Sequence, residues 1–402
     1  MSAPAQGTPR GGFPYVLATL IALHACMAST RVAASLAVLK QGYADWTVGA
    51  LLSLYAVAPI VLSLWAGRLA DRFGFHRPVI WSVAMGLLGA GLPVLTQHVV
   101  ALAISGLLTG GALSIAAVAI QREAGQMARD PDDLKRVFSW VALGPALSNT
   151  AAPVITGLLI DHVGFRAAFA VGALLPVLAA WAAWQVPRGP AAPAHSAGPA
   201  LPTQSAFELL RIPVLRNLMW VNVAMAAAWD SHAFTVPVVG HARELSASAI
   251  GLVLSSFAIA ATAVRVVIIR WGEHLGEQRS LMAAISLATV ALVVYAWLPG
   301  TLGMMVGSAV LGVALGSVQP MVLSMLHQAA PPDRQGQAFA LRMLFTNAAT
   351  ISMPLMFGLL AAATTNAAPM WLMAAMMVAA RWPAKRLDAP ASGKLEADAG
   401  RI

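Results

Sequence analysis

Apolar residues run in stretches of about twenty along the whole chain, broken by short polar or Gly/Pro-containing turns rather than alternating with polar positions. A helix rises about 1.5 Å per residue, so such a stretch crosses the roughly 30 Å hydrocarbon core of a bilayer. The pattern predicts spans over Pro14 to Leu39, Thr47 to Ala66, Pro78 to Thr96, Val99 to Ile120, Val137 to Ile160 and Phe165 to Val186. After a Pro/Ala/Gly-rich break it predicts six more, over Leu215 to Val239, Ala247 to Trp271, Leu281 to Leu298, Leu302 to Leu326, Ala338 to Ala361 and Ala367 to Trp382. In lipid the backbone must satisfy its own hydrogen bonds, so an all-α membrane protein of twelve transmembrane helices follows.

The break divides the chain into an N-terminal six-helix bundle over 1–186, a linker over 187–213, a second six-helix bundle over 214–383 and a tail over 384–402. The linker, PRGPAAPAHSAGPALPTQSAFELLRIP, is too rich in Pro, Ala and Gly to build a core, and reads as a plain tether. Phe207, Leu209 and Leu210 offer the alternative of a short interfacial turn.

Only 10% of residues are charged against 59% hydrophobic, where soluble domains carry about 25% charged residues. The formal charge is +9, but it is scattered over short turns without aromatic interleaving, which excludes nucleic acid as a partner. The turns after spans 2 and 4 hold Arg68, Arg72, Arg77, Arg122, Arg129, Lys135 and Arg136, and the opposite turns offer Lys40, Arg166 and Arg243. Positive charge stays on the cytoplasmic side. The expectation is a bacterial inner-membrane protein with both termini cytoplasmic, its first span retained rather than cleaved as a signal. The single cysteine, Cys26, allows no internal disulfide. Neither HExxH, GxSxG nor a P-loop occurs, so the expectation is a non-enzyme without cofactor or bound metal.

The second half repeats the first at an offset near 201 residues. Asp71, Arg72, Gly74 and Arg77 meet Glu273, His274, Gly276 and Arg279, and Phe138, Pro153 and Gly157 meet Phe339, Pro354 and Gly358. The hairpin GRLADRFGFHR, running from Gly67 to Arg77 between spans 2 and 3, resembles the loop signature of the major facilitator superfamily of secondary transporters. The resemblance implies two pseudo-symmetric six-helix bundles moving a small-molecule substrate by alternating access, with the site near the midplane between them. Coupling to protons and a monomeric state are further expectations. The resemblance also implies that the hairpin is a conformational latch, built on Gly67, Asp71, Arg72, Gly74 and Arg77, with Glu123 placed to pair with Arg72 or Arg77. Glu273, Gly276 and Arg279 form a weaker copy.

Ionisable residues inside a bilayer are costly and point to function. Arg31 on span 1 and Asp230 on span 7 are the leading pair for substrate binding or proton coupling, against the alternative of a static structural pair. His232 points about 160° away from Asp230 around the helix axis, so the two cannot face one wall. Asn222, Trp229 and His232 share a face, and His24 shares a face with Arg31. Asn149, Gln319 and Asn347 complete the candidate lining. Met residues near histidines, such as His24 with Met27, leave copper(I) import as an alternative on softness alone. Two readings compete with transport altogether: a transport-inactive sensor and an assembly factor. Drug/proton antiporters of the superfamily carry an arginine within span 4. Here Gly106, Thr109 and Gly110 stand there, which weakens a drug-efflux reading.

Overall fold

The computed structural model describes residues 10–127, 131–188, 206–271, 277–331 and 334–387. The first bundle comprises α1 (Phe13–Lys40), α2 (Asp45–Phe73), α3 (His76–Leu95), α4 (Val99–Met127), α5 (Pro131–His162) and α6 (Phe165–Trp184). The second comprises α7 (Pro213–Ala242), α8 (Ala247–Trp271), α9 (Glu277–Val294), α10 (Gly300–Ala329), α11 (Gln335–Ala363) and α12 (Ala368–Lys385). No strand occurs among the described residues. Ten of the twelve helices contain a stretch long and apolar enough to cross a membrane. Among the two that do not is α7, which carries Asn217, Asn222, Asp230 and His232, all buried against protein rather than lipid. The alternate exposed faces bear Trp184, Trp220, Leu95, Val61 and Leu302, which would be a liability in water and are solvated in lipid.

The linker is not tether throughout. Ala206–Arg211 forms a 3-10 helix on α7 and α11, with Leu209 fully buried and Glu208 3.7 Å from Arg334. The second bundle therefore begins a few residues before its first span, because Leu209 finds apolar cover.

The start of α1 and the exit of α6 share one face, where Gly12 abuts Pro187; this is termed the terminal face. At the opposite, far face the bundles are sealed along two helix pairs, α2 with α11 and α5 with α8. Gly49 on α2 lies against the Pro354 carbonyl, and Gly358 lets α11 approach Trp46. On the other side Gly251 on α8 lies against the Pro153 carbonyl, and Gly157 lets α5 approach Ala247. A Cβ at any of these four glycines would collide with backbone, so their lack of a side chain is what permits the approach. Two hydroxyls repeat the same symmetry: Ser53 donates to the Ile351 carbonyl and Ser255 to the Thr150 carbonyl, each at 2.6 Å.

One element breaks the symmetry. Asp161 at the end of α5 accepts the N–H groups of Ala247 and Ser248, at 2.9 and 2.7 Å, capping the N-terminus of α8 across the bundle interface. The hydrogen bonds from Ser53, Asp161 and Ser255 between the bundles all lie in the far half of the molecule. The structure is closed at the far face.

Candidate functional site

Helices α1, α5, α7 and α8, with Leu52 of α2, line a small chamber of about 90 Å³ on the bundle interface. Arg31 and Ser35 enter it from α1, Asn149 from α5, Trp229 and His232 from α7, and Phe257 from α8. His232 is 2% exposed, and its environment explains how an imidazole sits there. Its Nε2 lies 2.8 Å from the Ser308 hydroxyl, which is 2.7 Å from the Tyr295 hydroxyl, and its ring stacks on Phe257 at 4.3 Å. A hydrogen-bonded chain into the second bundle satisfies that nitrogen; an unpaired one in this position would cost about 1–3 kcal/mol.

A larger cavity, about 200 Å³, lies in the terminal-face half of the second bundle. Its walls come from α7, α8, α10 and α11 alone. Asp230, 5% exposed, projects into it from α7 with Asn222 and Met225. Thr350 lines the same cavity, and Asp230 Oδ2 has no hydrogen-bond partner. Arg265 enters from α8 and Arg342 from α11. Arg265 donates through NH2 to the Gln319 side-chain oxygen at 2.9 Å and through Nε to the Gly316 carbonyl at 3.3 Å, and its guanidinium carbon lies 5.9 Å from the Trp229 ring centroid. Arg342 donates to Asn222 Oδ1 at 3.3 Å, and its buried Nε has no hydrogen-bond partner. Asn222 in turn donates to Thr346 at 2.8 Å. Trp229 borders both cavities and forms the partition between them. Its ring packs edge-on to Phe257 at 4.5 Å.

The roughly half-turn between Asp230 and His232 puts the acid in the larger cavity and the imidazole in the smaller one. Arg31 shares the His232 chamber with Asn149, and no salt bridge joins it to Asp230 among the described residues; the two act on each other electrostatically across the partition. Gln319 and Asn222 sit in the Asp230 cavity as polar ligands of the two arginines. His24 is buried with Nδ1 unpartnered and lines neither cavity, and Asn347 is exposed on α11, outside both. Arg265 and Arg342 stand outside the candidates named from sequence: each lies near the edge of its apolar stretch, where an arginine also reads as a charge that fixes orientation. Among the described residues no group of three His, Cys, Asp or Glu converges as a metal site would require.

At the hairpin, Gly74 ends α2 with φ of 69°, a conformation that favours glycine. Arg72 and Arg77 flank the Phe73 ring at 5.0 and 4.1 Å, and neither forms a salt bridge with buried Glu123 among the described residues. Gly67 and Asp71 fall on the last turns of α2, and their side-chain surroundings lie outside the described residues, as do Glu273 and Gly276; Arg279 is exposed on α9. On α4, Gly110 abuts the Tyr55 carbonyl and Gly106 the Tyr55 ring, so neither position admits a large side chain.

Twin six-helix bundles, sealed at one face and enclosing cavities with buried ionisable side chains, define a membrane carrier. The chain belongs to the Major Facilitator Superfamily, whose profile matches residues 16–302 and 218–399. It is a multi-pass transporter and not an enzyme. The tetracycline resistance protein, class G, of Vibrio anguillarum is 27% identical over 81% of this chain and 83% of its own length. A multidrug resistance protein B homolog of Mycobacterium tuberculosis is 34% identical over 34% of this chain and 24% of its own. Among solved structures, a bacterial homolog of the human lysosomal transporter Spinster, in an inward-facing and occupied conformation, superposes with a TM-score of 0.73 at 12% identity, covering 96% of this chain and 97% of that one. A nucleoside transporter, NupG, gives 0.72 at 12% identity over 94% and 100%. At those identities the structures share the fold alone.

Proposed function

We propose that the chain is a secondary active exporter of a small organic solute, working by alternating access and driven by protons entering through Asp230. The observation that carries this reading is Asp230 itself: a carboxylate buried on α7, with one oxygen unpartnered and two guanidiniums in the same cavity. Burying a charge without full compensation is expensive, so a carboxyl there is suited to exchanging its proton as the solute arrives and leaves. Export is favoured by the relatives named for tetracycline and multidrug resistance, although the arginine that drug antiporters of the superfamily carry within span 4 has no counterpart among Gly106, Thr109 and Gly110. This chain would then couple through α7 instead of α4.

With the terminal face taken as cytoplasmic, the far-face seal corresponds to the state open to the cytoplasm, the one in which an exporter loads. The latch reading of the Gly67 to Arg77 hairpin fits that state, since Arg72 and Arg77 rest on Phe73 rather than on a partner across the bundles. In proteoliposomes, Asp230→Asn is expected to abolish solute movement driven by an imposed pH gradient while leaving solute exchange at equal pH intact. Unchanged pH-driven transport in this variant would remove Asp230 as the coupling residue.

A further inference from the structure

Arg265 and Arg342 face the same cavity within the bilayer with only neutral groups as hydrogen-bond partners: Gln319, the Gly316 carbonyl and Asn222. No salt bridge joins either to Asp230 among the described residues, and Arg342 keeps a buried Nε with nothing to donate to. Two guanidiniums against one carboxylate leave the cavity with an excess of positive charge. A folded chain gains nothing from carrying an uncompensated cation at this depth unless something anionic completes it. Guanidinium recognises planar or tetrahedral oxyanions through paired N–H donors. The remaining lining is largely apolar, with Met225, Leu315, Val318 and Val322, and the Trp229 indole borders it. A polar pole beside an apolar wall selects an amphipathic ligand.

We infer that this cavity binds an organic anion, with a carboxylate, sulfonate or phosphate head held by Arg265 and Arg342 and an apolar, preferably aromatic, body against Trp229 and the α10 wall. The inference rests on the carrier reading and deepens it by naming the substrate class.

The test uses the purified full chain in phosphatidylcholine nanodiscs and three isosteric probes: 2-naphthoate, neutral 2-naphthylmethanol and cationic 2-naphthylmethylammonium. Equilibrium dialysis should show naphthoate binding at least tenfold more tightly than either of the others. Arg342→Gln and Arg265→Gln should each remove that preference while leaving the weak binding of the neutral probe in place. Arg342→Lys should keep part of it, which separates loss of charge from loss of fold. Adding phosphatidylglycerol distinguishes sources: competition with naphthoate assigns the anionic head to a lipid, and no competition assigns it to a soluble acid. Equal binding of the three probes, or an anion preference that survives both glutamine variants, would overturn the inference. Failure here leaves the Asp230 transport assay standing, and failure of that assay leaves the binding preference standing, so the two claims fall separately.

Discussion

Asp161 offers a direct measure of how the far face is held shut. Its carboxylate accepts two N–H groups from the first turn of α8, at 2.9 and 2.7 Å, and no equivalent carboxylate serves the α2–α11 side, where Ala362 stands at the repeat position. A hydrogen bond to a charged group contributes about 1.5–3 kcal/mol when buried. Asp161 is exposed, and its carboxylate and the freed N–H groups regain water when the face opens, so the difference between the two states is about 1–2 kcal/mol. That corresponds to roughly a 5- to 30-fold change in the ratio of open to sealed molecules. Spin labels at Arg166→Cys and Ala242→Cys, in a Cys26→Ala background, report the far face by dipolar spectroscopy, and labels at Gln126→Cys and Arg216→Cys report the terminal face. Asp161→Ala should raise the long-distance population at the far face by that factor while the terminal-face distance shortens. Asp161→Asn, which keeps one oxygen acceptor and loses the charge, should fall between. Distributions for Asp161→Ala that match wild type within twofold at both faces would refute the claim that this cap biases the carrier.

Gly49→Ala and Gly251→Ala place a Cβ less than 3 Å from the carbonyl carbons of Pro354 and Pro153 respectively, so either should prevent sealing and lower transport more than tenfold. Gly91→Ala on α3, where nothing lies within 4 Å, is the control, and an equal loss there would show that the assay reads helix propensity instead. Ser308→Ala strips His232 Nε2 of its partner at a cost of about 1–3 kcal/mol and should lower the melting temperature in scanning fluorimetry by a few degrees. Tyr295→Phe leaves the His232–Ser308 contact in place and should cost less; the reverse order would remove that contact from the account.

Sequence carried the helices because lipid imposes a simple code: length and apolarity place the spans, and the predicted boundaries fall within or close to the observed helices. It also placed the Pro153/Pro354 and Gly157/Gly358 pairs in register, and the structure supplies their reason, since each pair brings α5 onto α8 or α11 onto α2. What it missed follows from rotation and depth. Arg265 and Arg342 lie near the terminal-face ends of α8 and α11, where an arginine also reads as a topogenic charge, and only packing shows that both turn inward to one cavity. Arg31 and Asp230 stand out in the sequence as ionisable residues within spans 1 and 7, yet they line different cavities that share Trp229, because a span assignment does not fix which neighbour a side chain meets.

The two halves agree where they slide against each other and differ where they hold the solute. Gly49, Ser53, Pro153 and Gly157 recur as Gly251, Ser255, Pro354 and Gly358, so both rims of the far face close by one design. Asp230, Arg265 and Arg342 do not recur: the first half has Ala28, Ser63 and Val141 at the corresponding positions. Both rims lie on the far face and part together when it opens, so one packing design serves both, with the Asp161 cap added on the α5–α8 side alone. Binding requires only one polar pole, and each further buried charge would cost desolvation without adding recognition. On the proposed reading the ligand's charged head is therefore held within the second bundle through the whole cycle. The first bundle then acts as a moving wall whose Arg31 biases Asp230 across Trp229, so access switches without breaking the contacts that hold the solute.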